Sequence, residues 1–312
     1  MFSNLENLRR LIAIADCGTV HGAAEALSLT QPALSRTIRL MEAQCREQLF
    51  ERHPRGLRLT PFGHRACQHA RHLLRECQLA EDDLMALGGG GMGVIRLAAA
   101  PVWMSLILPQ AIADLHRHYP DLQVQLSVRN FAAALEELDN GKLDIYCGGF
   151  QKTEAMPSFL VRKPLFGTRL NVVARQDHPV LASPLESLHP LLDYPWVSYL
   201  SDRGYLDTVM DKVKRTTGQR REASVSCDSL LAVLNLLNNG DYLAFLPSTF
   251  IQLLPGFDLQ IIQTSIAEAG FNSGIIYRRS LQRSLILEAF QASIEARMND
   301  CSFDPLLQET DD

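Results

Sequence analysis

Between Thr19 and Gly63 the chain reads TVHGAAEALSLTQPALSRTIRLMEAQCREQLFERHPRGLRLTPFG. Two short helical patterns meet at a tight connection, and an Arg-rich turn follows between two short apolar segments. Few folds accept that order, and it is the order of a winged helix-turn-helix, a device for reading DNA. A first amphipathic helix over 4–17 precedes it, with Leu5, Leu8, Leu11, Ile12 and Ala15 on one face and Gly18 at its end. Ala23, Ala24 and Leu27 form the inner face of the second helix, where small side chains permit close approach. Thr30 is placed to cap the third helix, and Pro32 falls in its first turn, where a missing N–H does no harm. Leu34, Ile38 and Met41 then face inward, and Gln31, Ser35, Arg36 and Arg39 face outward. Gln and Arg suit adenine and guanine edges, and Ser suits phosphate or base. Leu57 and Leu59 alternate with Arg58, and Pro54-Arg55-Gly56 supplies a turn. This predicts a hairpin whose tip carries Arg52, His53 and Arg55 against backbone or minor groove. A three-helix module that binds protein, with a solvated basic face, is the alternative.

Charge separates these readings. The chain of 312 residues carries a net charge of −5. Residues 1–65 hold nine Arg against six acidic residues, which is +3, so the remainder is −8. The basic end coincides with the helix-turn-helix pattern, and its cations are Arg, whose fork makes two-point contacts to phosphate or guanine.

The run AAEALSLTQPALSRTIRLMEAQCREQLFERHPRGLRLTPFG resembles the N-terminal domain of the LysR-type transcriptional regulators. Gln-Pro-Ala-hydrophobic-Ser-Arg, Leu-Phe-Glu-Arg and Arg-Leu-Thr-x-x-Gly all stand in it. The resemblance implies that Gln31, Ser35, Arg36 and the wing residue Arg52 lie at the DNA. Cys45 stands where the family often has Leu, and Arg46 where it has Gly.

Residues 62–87 predict one long helix. Ala66, Ala70, Leu73, Cys77, Ala80, Leu84 and Leu87 are spaced as an a/d seam through three heptads. Such a seam would pair two chains and so present two heads to two half-sites. An amphipathic helix packed on its own domain has the same pattern, and the resemblance favours pairing. Gly88-Gly89-Gly90-Gly91 then reads as a hinge. The expected domains are a head over 1–61, a linker over 62–91 and a body over 92–312.

From Val94 strands and helices alternate, which predicts parallel sheets with helices on both faces. The chain crosses near 163–168 and returns near 266–272. Two subdomains are therefore expected, 92–163 plus 268–312 and 164–267, around a cleft. The pattern resembles the LysR co-inducer domain, itself similar to periplasmic binding proteins. The fold class is thus an α+β winged head, a linker helix and an α/β two-subdomain body. Ligands of open α/β sheets sit at the carboxyl ends of strands. The candidates are Ala100, Val102, Trp103, Cys147 and Gly149 from the first subdomain. Ser198, Tyr199, Arg203, Cys227, Leu246 and Pro247 come from the second. The family often has Ser or Thr at the position of Ala100, so Ala100 and Val102 imply a more apolar or differently oriented ligand. Arg203 could hold an anion or a surface acid, and Trp103 could stack on a ligand or fill a core.

No GxSxG, P-loop or HExxH motif occurs, and the glycine run precedes a strand instead of following one, so no enzyme is expected. The seven cysteines are scattered without CxxC or Cys/His clusters, which argues against a zinc site or a disulfide framework, and no cofactor is expected. The opening residues lack a signal-peptide layout and no apolar run approaches a membrane span, so a cytoplasmic protein is expected. The resemblance implies a homodimer or homotetramer on a pseudo-palindromic double-stranded operator, a small-molecule effector and contact with RNA polymerase. The alternative is a thiol-based redox regulator using Cys147 and Cys227.

Overall fold

A computed structural model describes residues 2–54, 56–87, 93–150, 156–182, 184–185, 187–199, 203–247, 251, 256–264, 270–299, 303 and 305–306. Helix α1 (Leu5–Cys17) begins where the Asn4 side chain accepts from Glu6 N at 2.9 Å, and ends at Gly18 with φ +65°. Thr19 caps α2 (Val20–Ala26) through Gly22 N at 3.1 Å. Thr30 holds the N-cap place of α3 (Gln31–Cys45), but its side chain makes no capping bond. Leu8, Leu11, Ile14, Ala23, Ala24, Leu34, Ile38 and Met41 share one core with Leu49 and Phe50. Leu5, expected on the inner face, is exposed. Arg46 ends α3 in the left-handed region at φ +57°, the conformation for which the family's Gly is suited.

Strands β1 (Phe50–His53) and β2 (Gly56–Leu59) form the expected hairpin, with Phe50 opposite Leu59 and His53 opposite Gly56. Leu57 N donates to Gly18 O at 2.7 Å, which ties the hairpin to the end of α1. Gly56 is required there: its φ is +131°, and a Cβ would come 2.4 Å from Gly18 O. Arg55 lies outside the described residues.

Helix α4 (Pro61–Leu87) does not spend its whole seam on a partner. Ala66 and Ala70 are buried with Cys67 in the head's own core. This corrects the expected seam at its first two positions, because α1 packs along that part of α4. Burial pushes the Cys67 thiol up to about 11. Leu73, Ala80 and Leu84 are exposed, Leu84 at 68%, and Cys77 is half-buried. The Leu87 side chain and the Gly88–Gly91 hinge lie outside what is described.

A third face of α4 grips the body. Arg75 and Asp144 are both buried, and Arg75 Nε donates to Asp144 Oδ1 at 2.7 Å while Nη2 reaches Oδ2. The same carboxylate accepts from Arg96 N at 2.9 Å. Beside it, the fully buried Arg278 donates to Glu76 at 3.1 Å and to Leu138 O at 2.8 Å. Gln68 and His72 of α4 both contact Asp139. Burial beside Arg278 lowers the His72 pKa.

The body is a nine-stranded sheet ordered β4-β3-β5-β11-β6-β9-β7-β8, with β10 added to β6. Its strands are β3 (Val94–Ala99), β4 (Gln123–Val128), β5 (Ile145–Gly149), β6 (Leu160–Arg175), β7 (Trp196–Tyr199), β8 (Val225–Cys227), β9 (Leu243–Pro247), β10 (Leu259–Ile262) and β11 (Gly270–Arg278). Helices α5 (Leu108–His118), α6 (Phe131–Asp139), α7 (Arg203–Thr217), α8 (Leu230–Asn239) and α9 (Leu285–Asn299) complete it. A π-helical stretch, Trp103–Ile107, leads into α5. The pairs β3–β4, β3–β5, β7–β8 and β7–β9 are parallel, as expected. The sheet is nevertheless mixed. β6 is one 16-residue strand, antiparallel to β11 through its first part and to β9 and β10 through its last. β6 thus runs as one continuous strand through 163–168, where the chain was expected to cross between subdomains. Separate cores fill the two ends of the sheet, one around Trp103, Ile145 and Phe290 and the other around Trp196, Met210 and Phe245.

Asp144→Ala strands a buried guanidinium, so it should lower the unfolding free energy by about 3–5 kcal/mol in urea titration. The double replacement Arg75→Met with Asp144→Leu should recover much of that loss.

Candidate nucleic-acid interface and ligand cleft

The inward residues of α3 fix the direction of its outward ones. With Leu34, Ile38 and Met41 in the core, Thr30, Gln31, Pro32, Arg36 and Arg39 are exposed and Ser35 is half-buried. Gln31 Nε2 lies 2.8 Å from His21 Nδ1 on α2, so the two helices share a polar edge. Arg36, Arg39, Arg52 and Arg58 form no ion pair among the described residues. Their forks face water without an internal acid to satisfy them. Arg52, His53 and Arg58 are all exposed on the hairpin. Arg52 shares a ladder face with Phe50 and Leu57 at the rim of the core, whereas Arg58 stands opposite Glu51. The wing's cationic reach therefore rests more on Arg52 than on Arg58.

Two supporting contacts escaped the sequence reading. Arg10 Nη1 donates to Thr37 Oγ1 at 3.2 Å, pinning α1 to the buried side of α3. Glu42 Oε1 accepts from Leu49 N at 2.8 Å, fixing the end of α3 against β1. Thr37 and Glu42 interrupt the apolar stripe of α3, which was the signal for them.

The second candidate set divides. Val102, half-buried after β3, packs against both the first core and the cluster that holds Tyr199, Cys227 and Leu246. Leu106 joins it in that cluster. The ends of β3, β7, β8 and β9 therefore meet where a cleft was expected. Ala100 is half-buried and its N–H donates to Cys147 O at 2.8 Å. Ser198, Leu246 and Pro247 are buried, and the Arg203 side chain lies outside what is described.

Two expectations are corrected. Trp103 is buried, donates from Nε1 to Ser273 Oγ at 2.8 Å and stacks on Phe166 at 5.7 Å, so its ring is core and not a ligand platform. Cys147 is fully buried in β5, and burial drives its thiol far above the ordinary range. It is neither a cleft residue nor an activated thiolate. Gly149 is half-buried under Phe271, whose ring lies 2.4 Å from where a Cβ would stand, which is why glycine is needed there. The described cysteines, Cys227 included, form no disulfide among the described residues, where no cluster of metal-ligating residues occurs either.

Tyr199 is the polar group at the junction. Its hydroxyl is buried and has no hydrogen-bond partner among the described residues. Burial, then Cys227 and Asp228, push its pKa well up, so it stays a neutral donor. A buried hydroxyl without a partner costs about 1–3 kcal/mol, so Tyr199→Phe should make the ligand-free protein more stable by about that amount. Urea unfolding measures the change, and a loss of stability would show that the hydroxyl is already satisfied.

Comparison with known proteins covers both parts of the chain. Residues 5–64 match the family described as bacterial regulatory helix-turn-helix protein, lysR family, and residues 88–299 match the LysR substrate binding domain. The SDS degradation transcriptional activation protein of Pseudomonas sp. (strain ATCC 19151) is 28% identical over 251 residues, covering 78% of this chain and 79% of the relative. A substituted form of full-length OxyR from Pseudomonas aeruginosa superimposes with a TM-score of 0.67 at 22% identity, over all of both chains. Full-length CbnR in complex with its target DNA gives 0.61 at 19% identity, over 94% of this chain and 99% of that one. These two structural likenesses establish the fold.

Proposed function

The chain belongs to the LysR family, and from that premise we propose that it is a promoter-binding regulator whose α3 reads DNA as one of a pair. The carrying observation is the exposed row of Gln31, Arg36 and Arg39 with half-buried Ser35, its arginines unpaired, on a helix locked by its own core. Bound to DNA, α3 lies in the major groove with Arg36 on a base edge, and the wing sets Arg52 and His53 on the backbone. Arg55 and Arg58 add positive charge to the same wing. Thr30 and Pro32 set the entry of α3.

The linker supplies the pairing. Leu73, Cys77, Ala80 and Leu84 form an apolar stripe on the side of α4 left uncovered by its own head and body. A second copy on this stripe yields two heads for a pseudo-palindromic operator. The bodies then join two such dimers into a tetramer. The domain division is 1–61, 62–91 and 92–312, with the body's two subdomains meeting around Val102 and Tyr199.

A small-molecule effector enters at that junction, where Val102, Leu106 and Cys227 give an apolar wall and the Tyr199 hydroxyl a donor. Ala100 and Val102 lack hydroxyls, so the ligand is held more by apolar contact than by a carboxylate clamp. Ser198, next to Tyr199 on β7, and Arg203, at the start of α7, are further candidates for the ligand. Occupancy shifts the relative angle of the subdomains and hence the spacing of the heads. The protein works in the cytoplasm, alters access or recruitment of RNA polymerase and catalyses no reaction. Among the described residues no helix is long and apolar enough to cross a membrane.

Arg36→Ala should reduce discrimination between operator and unrelated DNA by about 1–3 kcal/mol, whereas Arg52→Ala should weaken binding to all sequences and reduce the salt slope by about one. Fluorescence anisotropy at several salt concentrations separates them; full operator preference in Arg36→Ala would refute the role of α3. Leu84→Glu should convert dimers to monomers in sedimentation velocity, and an unchanged mass would remove the stripe from the interface.

A further inference from the structure

On the α6 side of the body, a groove of about 290 Å³ runs between the edge strand β4 and the segment after α6. Its polar lining is Arg96 on β3, Gln125 and Ser127 on β4, Arg129 just beyond β4, Glu137 on α6 and Lys142 before β5. Leu97 and Leu143 contribute apolar surface. Arg129 is already engaged: its Nε donates to Glu137 at 2.7 Å and its Nη1 to Val128 O at 2.8 Å. Arg96 and Lys142 are not. Neither forms an ion pair among the described residues, and the Arg96 guanidinium has only a long 3.5 Å bond to Gly141 O. The carboxylates whose field reaches Arg96 are otherwise engaged: Asp144 by Arg75, and Asp82 by Gln78 Nε2 at 3.0 Å.

The lining therefore carries three cations against one anion. A half-buried guanidinium fork stands open beside an ammonium, an amide and a hydroxyl. That set is incomplete without an acceptor of negative charge. We propose that this groove binds a small oxyanion, the carboxylate or phosphate group of a metabolite, with Arg96 and Lys142 as its principal partners and Gln125 and Ser127 as orienting donors. The volume suits one anionic group with a short carbon skeleton.

The site is distinct from the Val102–Tyr199 junction. It abuts the linker grip: Arg96 N–H and Arg75 share Asp144, and Asp139, which Gln68 and His72 contact, ends α6 three residues before Lys142. An anion here sits against the segment that holds α4.

The test uses the full-length protein at constant ionic strength. Inorganic phosphate and succinate are titrated separately by calorimetry and by thermal unfolding, with chloride as the balancing salt. Saturable binding of at least one anion is expected, weakened by about tenfold or more in Arg96→Gln and in Lys142→Gln and unchanged in Tyr199→Phe. Phosphate alone identifies a phosphorylated ligand, succinate alone a carboxylate, and both a general oxyanion site. Lys142 lies on an exposed loop, so its variant decides the matter even where Arg96→Gln fails to fold. No saturable binding of either anion, or equal binding by Lys142→Gln, overturns the proposal.

Discussion

Asp144 is the point on which the arrangement of this molecule turns. Its side chain takes Arg75 from the linker helix and the N–H of Arg96 from β3, while its backbone O accepts from Arg278 N of β11 and its own N–H bonds Arg96 O. One residue at the head of β5 thereby joins the linker helix to three adjacent strands. A buried carboxylate is costly to desolvate, so the contact holds only because every partner is present together. Arg278 repeats the logic one layer away, with Glu76, Leu138 O and the Phe159 ring at 5.6 Å around a guanidinium that no water reaches. The linker is therefore seated by directional bonds and not by apolar contact alone, which fixes its rotation about its own axis.

That fixed rotation gives α4 three separate duties. Ala66, Cys67 and Ala70 complete the head, Arg75 and Leu79 complete the body, and Leu73, Ala80 and Leu84 remain uncovered. A helix turns through about 100° per residue, so neighbouring positions serve different bodies without conflict. Any movement in the body that turns α4 would be passed to the head, because both are bonded to the same rigid rod.

The head was readable because its determinants are local. The Phe50–Leu59 hairpin and the 3.6-residue period of Leu34, Ile38 and Met41 act within a few residues, and that period turns Gln31, Arg36 and Arg39 outward, whereas the expected Thr30 cap forms no side-chain bond. The alternation of strands in the body and their parallel pairing were readable for the same reason, but the antiparallel course of β6 was not. β6 is long and antiparallel to its neighbours because it serves both ends of the sheet, and nothing in its own sequence announces that. Trp103 follows a strand end where ligands often sit, yet Phe166 and Ser273, far along the chain, hold it in the core; Cys147 lies within β5, between Ala99 of β3 and Ile275 of β11. The Asp144–Arg75 pair spans 69 positions and has no periodicity to betray it. The heptad spacing identifies an apolar stripe, and only the fold reveals that its first part, Ala66 and Ala70, packs in the head.

The sharing of α4 between head and body bears on how such regulators can be recombined. A graft joined at the end of the wing or at the glycine run would separate one set of α4 contacts from its natural counterpart. Ala66 and Ala70 belong with the donor of the head, and Arg75, Glu76 and Leu79 with the donor of the body. No splice inside the helix separates the two sets cleanly, because Gln68 and His72 reach Asp139 of the body while Ala70, Arg71 and Leu74 serve the head, so a graft has to carry one set of counterparts along with α4.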